Sequence, residues 1–164
     1  MGEKIRFEDI EHIIREMLDM GKSFKISPNG CSMMPLIRQG ADSVYIKKPT
    51  GRLKKYDIAF FKRDDGSFIL HRVIRVRKNS YVFCGDAQLY PESGISDRHI
   101  IGVVTEIERD GKIFSVDEPE YVKYSKEVVK NRWKKNYKIL LINNTKSFLK
   151  KTIFFWYKRK KQKE

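Results

Sequence analysis

The sequence has few of the features that stabilise secreted or membrane-spanning proteins. Two cysteines, Cys31 and Cys84, are too few for a disulfide scaffold or for a zinc site with four cysteine ligands. There is no run of about 18 apolar residues, so no segment is predicted to cross a bilayer as a helix. The N-terminal sequence MGEKIRFEDIEHIIREML is charged throughout and lacks the apolar region of a secretory signal peptide. A reducing compartment, the cytoplasm, is therefore the expected location.

Positive charge is concentrated at one end of the chain, whose net charge is +14. Residues 1–120 contain 20 Lys and Arg against 19 Asp and Glu, whereas residues 121–164 contain 15 against 2. The nearly neutral body argues against specific nucleic-acid binding, which would require a basic face. In the basic tail, aromatic residues adjoin a lysine cluster in IFFWYKRKKQK, which predicts peripheral contact with anionic membranes. The alternatives are a solvated helix and non-specific RNA binding.

The hydrophobic pattern predicts a compact, mainly β domain flanked by helices. Apolar residues at helical spacing, followed by Gly21, predict an amphipathic helix over residues 7–20. The next hundred or so residues alternate short β-branched and aromatic runs with turn sequences, which predicts about six or seven mostly antiparallel strands. The DDG and RDG sequences are expected to form hairpin turns. The predicted organisation is an N-terminal helix (1–22), a β domain (23–118) and a basic helical tail (119–164).

The segment NGCSMMPLIRQG contains a candidate nucleophile, Ser32. Pro35 restricts the backbone nearby, as a positioned nucleophile requires. Met33 and Met34 are soft apolar side chains that either line a substrate cleft, together with Pro35, or fill the core. A serine becomes nucleophilic only beside a base. Cys31 is an alternative nucleophile.

A candidate base and candidate acids follow later in the chain. Alternation along the strand FILHRVIRV places His71 on the face opposite to Arg72. Histidine is the natural base near neutral pH. In CGDAQLYPE, Asp86 is either a turn residue or the acid that orients the imidazole, as in a Ser–His–Asp set. Glu92 is a weaker second acid.

In this order and spacing, the segments resemble the signal peptidase I superfamily, which includes the LexA-like self-cleaving repressors. Four segments are similar to its nucleophile, structural, base and Gly-Asp boxes: GCSMMP (30–35), KKYDIAFF (54–61), LHRV (70–73) and CGDAQ (84–88). Tyr56 stands where the structural box usually has glycine. Histidine in the base box, rather than lysine, is similar to the archaeal and ER-type signal peptidases.

The resemblance implies a serine endopeptidase on a signal-peptidase-like β-domain, with Ser32 as nucleophile, His71 as base and Asp86 as the supporting acid. It implies a peptide or protein substrate, such as a leader or signal-like peptide, and no metal or organic cofactor. Because the N-terminal membrane anchor of true signal peptidases is not recognisable, the sequence is most similar to small anchorless proteins of anaerobic bacteria. Such a protein is expected in the cytoplasm, with peripheral membrane contact through its tail.

Interpretations from other functional classes remain open at the level of sequence. A non-catalytic protein could use the same β-fold to bind peptides, or its tail to bind RNA or anionic lipid. A LexA-like repressor is disfavoured because residues 1–22 hold one helix and no helix-turn-helix. His12 and His99 are expected to be surface or structural residues.

Overall fold

The computed structural model describes residues 7–132. In this range, helix α1 (Phe7–Asp19) is followed by eight strands: β1 (Phe24–Ile26), β2 (Ser43–Lys47), β3 (Ile58–Lys62), β4 (Phe68–Val76), β5 (Tyr81–Cys84), β6 (Glu92–Ile95), β7 (Ile100–Arg109) and β8 (Lys112–Ser115). A second helix, α2, begins at residue 119 and continues to residue 132, where the described range ends. The predicted mainly β fold with flanking helices is confirmed.

The strands form one antiparallel sheet in the order β1-β2-β7-β3-β4-β5-β6, and β8 pairs with β7. The two predicted hairpin turns connect β3 to β4 and β7 to β8. In the second turn, Asp110 and Gly111 have φ angles of 51° and 74°. Such positive φ values at both central residues match the type I′ turn, whose twist suits a tight hairpin.

Helix α1 ends as its sequence predicts. Gly21 adopts a φ of 76°, its N–H donates to the Leu18 carbonyl, and the Lys22 N–H donates to the Met17 carbonyl. These two bonds form a Schellman motif, in which a glycine in the left-handed region satisfies the last helical carbonyls. The helix buries Ile14 and Leu18 against the sheet.

The sheet separates two apolar clusters, and successive residues of β4 point alternately into one and the other. Leu70 belongs to the first core cluster, which packs against α1 and also contains Ile14, Leu18, Met33, Phe60, Val104 and Ile107. Val73 belongs to the second core cluster, with Leu53, Ala59, Phe61, Tyr81, Phe83 and Ile95. The side chain of His71 lies on the side of the second core cluster, since its ring meets that of Phe61 edge-on at 6.4 Å between centroids.

The described residues up to Val129 form one compact unit. Within residues 7–132, no helix combines the length and the apolar character needed to cross a bilayer. The part of the predicted tail beyond residue 132, with its aromatic and basic cluster, lies outside the described residues. The division into segments 1–22, 23–118 and 119–164 stays a prediction.

Candidate active site

Ser32 lies in the connection between β1 and β2 and packs against the loop that follows β5. Its carbonyl accepts a hydrogen bond from the Ala87 N–H at 2.8 Å. A Cβ atom at Gly85 would lie 2.6 Å from the Ser32 carbonyl oxygen and 2.9 Å from its Cβ. Because these distances are shorter than any ordinary contact, the two backbones can approach this closely only with glycine at position 85. Ser32 itself is half-buried.

The strand register indicates where His71 lies relative to Ser32. Arg72 of β4 pairs with Cys84 of β5, and continuing this antiparallel register by one residue sets His71 opposite Gly85. Directly opposed residues point to the same face of a sheet. Since Ser32 occupies the space into which a Cβ of Gly85 would project, this register predicts that Ser32 lies near the His71 side chain, whose observed contacts are with Glu92 and Phe61.

The His71 imidazole is buried and bonded to a carboxylate. Its Nδ1 lies 2.5 Å from Oε1 of Glu92, and Arg63 donates from Nε to Oε2 of the same carboxylate at 2.7 Å, with Nη2 in ion-pair contact with that oxygen. Burial alone would raise the pKa of Glu92, but the hydrogen bonds from His71 and Arg63 outweigh it and hold that pKa below its ordinary value. With Nδ1 donating to the carboxylate, Nε2 is the nitrogen that can accept a proton.

Asp86 has a different partner, so the predicted contact between Asp86 and His71 is corrected. Arg72 donates from Nε and Nη2 to the two Asp86 oxygens, at 2.8 and 2.7 Å, in a fully buried bidentate pair. Consecutive strand residues point to opposite faces, which places the Arg72–Asp86 pair on the far side of β4 from His71. Glu92, the weaker candidate from the sequence, is the acid that contacts the imidazole.

The buried guanidinium of Arg72 also holds the loop before β3 and the start of α2. Its Nη1 donates to the Tyr56 carbonyl at 2.9 Å and to Ser125 Oγ at 2.7 Å. Tyr56 has a φ of 86°, in the region that favours glycine. Its N–H donates to the Val73 carbonyl, so bonds on both sides of the residue stabilise this backbone conformation. The glycine usual at this position of the structural box fits the same geometry.

The three residues after Ser32 comprise one core residue and two surface residues. Met33 is 3% exposed and belongs to the first core cluster, so its predicted contact with a substrate is corrected. Its side chain fills the core because the turn after Ser32 directs it inward. Met34 is 38% exposed, and Pro35, which follows it through a cis peptide bond, is exposed. Met34 and Pro35 stay candidates for substrate contact.

The connection that carries Ser32 is fixed to the sheet by a charged cluster that the sequence did not reveal. Arg109 of β7 donates to the Leu36 carbonyl at 2.5 Å and to the buried Asp42 carboxylate at 2.7 Å. Asp42 also accepts from the backbone and the guanidinium of Arg38. Burial opposes ionisation of Asp42, yet these bonds hold its pKa well below the ordinary range. The available sequence signal for this cluster was Asp42, a charged residue directly before β2.

A second Ser–His–Asp grouping occurs at His99. Its Nδ1 is 3.1 Å from Ser96 Oγ, and its Nε2 is 3.2 Å from Asp64 Oδ1. However, Nδ1 also accepts the Ser96 backbone N–H at 3.0 Å, which occupies the lone pair that a base would need. His99 therefore has a structural role, as expected, and His12 is exposed on α1.

The alternatives that involve thiols or metal ligands concern residues 7–132, and Cys31 as the nucleophile stays a prediction. Cys31 is exposed, Cys84 is buried, and no group of three or more potential metal ligands occurs in this range.

Comparisons of the chain with protein-family models, with curated proteins and with solved structures found no match.

Proposed function

We propose that the protein is a serine endopeptidase in which Ser32 is the nucleophile and His71 the general base. The observation that carries this proposal is the contact of the buried His71 imidazole with the partly buried Glu92, at the end of the β4–β5 ladder beside Gly85, against which Ser32 packs. A nucleophile, a base and a carboxylate that orients the base are the three parts of an acyl-transfer site. The resemblance of the four sequence boxes to signal peptidases supports the same assignment.

The proposed reaction begins when Ser32 Oγ attacks the scissile carbonyl carbon and its proton passes to His71 Nε2. Glu92 stabilises the imidazolium that forms and keeps Nδ1 protonated. The imidazolium then gives its proton to the leaving amine as the C–N bond breaks, which leaves an ester on Ser32. Water attacks this ester, with His71 again taking and returning one proton, and the acid product leaves.

A donor for the oxyanion is available beside the nucleophile. In the part of the chain that the structure describes, the Ser32 N–H makes no backbone hydrogen bond, whereas the Ser32 carbonyl is bonded to Ala87. This N–H is therefore the candidate for binding the negative oxygen of the tetrahedral intermediate. A preorganised donor of this kind accounts for about 3–4 kcal/mol of the barrier in other acyl-transfer sites.

The proposed substrate is an extended peptide, such as a leader or signal-like segment. The exposed Met34 and Pro35 beside Ser32 provide apolar surface for its side chains. We further propose a cytoplasmic location with peripheral contact to anionic membranes through residues 121–164. This segment contains 15 basic residues and only 2 acidic residues. Such contact would bring the site to membrane-associated substrates.

Incubation with a complex peptide mixture, followed by mass spectrometry of new termini, tests the proposed function. The wild-type protein is expected to produce new termini that are absent with Ser32→Ala. Equal cleavage by both proteins would overturn the assignment of Ser32. Retention of peptides by both proteins without cleavage would support the non-catalytic binding protein instead.

A further inference from the structure

Arg63 completes a three-membered chain of contacts behind the proposed nucleophile. The two oxygens of Glu92 are divided between its neighbours: Oε1 faces His71 Nδ1, and Oε2 accepts a hydrogen bond from Nε of Arg63 and lies in ion-pair contact with its Nη2. Arg63 directly follows β3, in the hairpin to β4. Its own backbone is fixed there, because its N–H donates to the Ser67 carbonyl and its carbonyl accepts from the Gly66 N–H.

We propose that Arg63 is a positioning residue of the peptidase site, which acts through Glu92 on the orientation and proton affinity of the His71 imidazole. This inference rests on the proposed function. Arg63 and the imidazole contact opposite oxygens of Glu92, so the effect of Arg63 passes through the carboxylate that both groups share.

Glu92 needs a second partner because of its place in the fold. It is the first residue of β6, the last strand in the sheet order, and its side chain is 20% exposed. A glutamate at such an edge has several rotamers that point to solvent, and each of them removes Oε1 from His71. The planar guanidinium donates one hydrogen bond from Nε to Oε2 and holds Nη2 at 2.7 Å from the same oxygen, which favours the rotamer that orients the imidazole.

Arg63 also balances the charge beside the base. Among residues 7–132, the charged and titratable groups in contact with one another here are Arg63 from the β3–β4 hairpin, Glu92 from β6 and His71 from β4, while β3 contributes the apolar Phe61. The positive guanidinium offsets part of the carboxylate charge felt by the ring. Without it, the imidazolium is stabilised relative to the neutral imidazole that must accept the Ser32 proton. The reaction then requires a higher pH.

A purely structural role for Arg63 gives a different result. Loss of a partly exposed ion pair lowers stability by a small amount, but it leaves the pH dependence of the chemistry unchanged. The pH profile of the reaction therefore separates the two roles. Stability alone does not.

The test measures the rate of acylation by a fluorophosphonate probe as a function of pH for the full chain. Its variants are Arg63→Gln, Arg63→Lys and, as a control that removes the same charge, Arg75→Gln at the exposed end of β4. Arg63→Gln is expected to move the midpoint of the profile upward by about one pH unit. It should also lower the plateau rate by about 10-fold to 100-fold, because the base is misplaced.

Arg63→Lys keeps the positive charge but loses the planar guanidinium. The midpoint of its pH profile should therefore equal that of the wild type, while its plateau rate stays reduced. Arg75→Gln should match the wild type. A pH profile of Arg63→Gln equal to that of the wild type would overturn the inference, whether or not the variant unfolds at a lower temperature. If Arg63→Gln does not fold, a plateau rate of Arg63→Lys equal to that of the wild type would overturn it. Absence of labelling in the wild-type protein would instead overturn the proposed function.

Discussion

The Nδ1 atom of His71 lies 2.5 Å from Oε1 of Glu92, although 21 positions separate the two residues in the chain. The β4–β5–β6 meander accounts for this proximity. Val73 pairs with Phe83, and Phe83 pairs with Glu92, so one row of side chains crosses three strands on one face. His71 is two residues from Val73 and shares that face. The sheet register therefore directs Glu92 toward the imidazole.

Glu92→Gln should reduce acylation of Ser32 by about 100-fold or more. The amide can donate to Nδ1 and so favours the tautomer whose proton is on Nε2, which cannot accept the serine proton; loss of the corresponding acid in a Ser–His–Asp site costs about 10⁴-fold. The measurement is the probe labelling rate at neutral pH, with thermal unfolding as the check on folding. A labelling rate equal to that of the wild type would contradict the assignment of Glu92.

Asp86→Asn is the contrasting variant, because Asp86 balances the buried Arg72 rather than the imidazole. Removal of one partner from a buried ion pair leaves an uncompensated charge and costs about 3–5 kcal/mol of stability. We expect a corresponding fall in the free energy of unfolding in denaturant, while the folded fraction keeps a labelling rate near that of the wild type. A large loss of labelling without loss of stability would restore Asp86 to the reacting groups.

Gly85→Ala should displace Ser32 from the face of the sheet. The new methyl group would lie 2.6 Å from the Ser32 carbonyl oxygen, and backbone cannot move aside as a flexible side chain does. The matched control is Gly51→Ala, where a Cβ would meet no atom within 4 Å. We expect labelling to fall at least about 10-fold for the first variant, since misplacement of reacting groups by about 1 Å can cost about 100-fold. Equal rates for both variants would show that the close approach of Gly85 to Ser32 is unimportant.

Local chemistry made much of the fold predictable from the sequence. Helix α1 was indicated by apolar spacing and Gly21, and the β3–β4 and β7–β8 turns by their Asp-Gly pairs. Strands β1 and β6 have only three and four residues, which is too short for alternation to be recognised in the sequence. Both depend on pairing with a neighbouring strand.

For the candidate site, the sequence predicted the residue types and the faces of single strands, but not the contacts between distant residues. Opposite faces for His71 and Arg72 followed from the pleat of β4. The Gly-Asp turn favoured Asp86 as the acid, yet the choice between Asp86 and Glu92 depends on how β4, β5 and β6 register with one another. No sequence pattern marked Arg63, because its role can be inferred only once the position of Glu92 beside His71 is known. Such long-range pairings are tertiary properties.

Asp42→Asn should change the pH dependence of stability. Burial raises the pKa of Asp42, but hydrogen bonds from Arg109 and Arg38 hold it well below its ordinary value. A carboxylate with a depressed native pKa contributes stability that is complete above its unfolded pKa. That contribution is lost as the pH falls from the unfolded value toward the native one.

At pH 7 we therefore expect Asp42→Asn to lower the free energy of unfolding by about 2–3 kcal/mol, the size of hydrogen bonds to a charged group. The difference from the wild type should shrink below about pH 4, where the unfolded carboxyl is protonated. Denaturant unfolding of both proteins at pH 7 and pH 3 measures this change. A difference that is the same at both values would show that the charge of Asp42 contributes nothing.

The basic tail is expected to bring the protein to anionic vesicles. Residues 121–164 carry 15 basic and 2 acidic residues, and each Lys or Arg near an anionic surface contributes about 1 kcal/mol. The full chain should co-sediment with phosphatidylserine-containing vesicles at low salt and be released at high salt, whereas deletion of 146–164 should abolish binding. Vesicles of neutral phosphatidylcholine are the control. Failure to bind anionic vesicles at low salt would end the membrane proposal.

Site-mapped acylation tests the central claim, that Ser32 is a nucleophile activated by His71, most directly. The protein is treated with a fluorophosphonate probe, and the modified residue is identified by peptide mass spectrometry in the wild type, Ser32→Ala, Cys31→Ala and His71→Ala. The account predicts one adduct, on Ser32, in the wild type and at a similar rate in Cys31→Ala, with none in Ser32→Ala and very slow labelling in His71→Ala. An adduct on Cys31 or elsewhere, or undiminished labelling of Ser32→Ala, would contradict it.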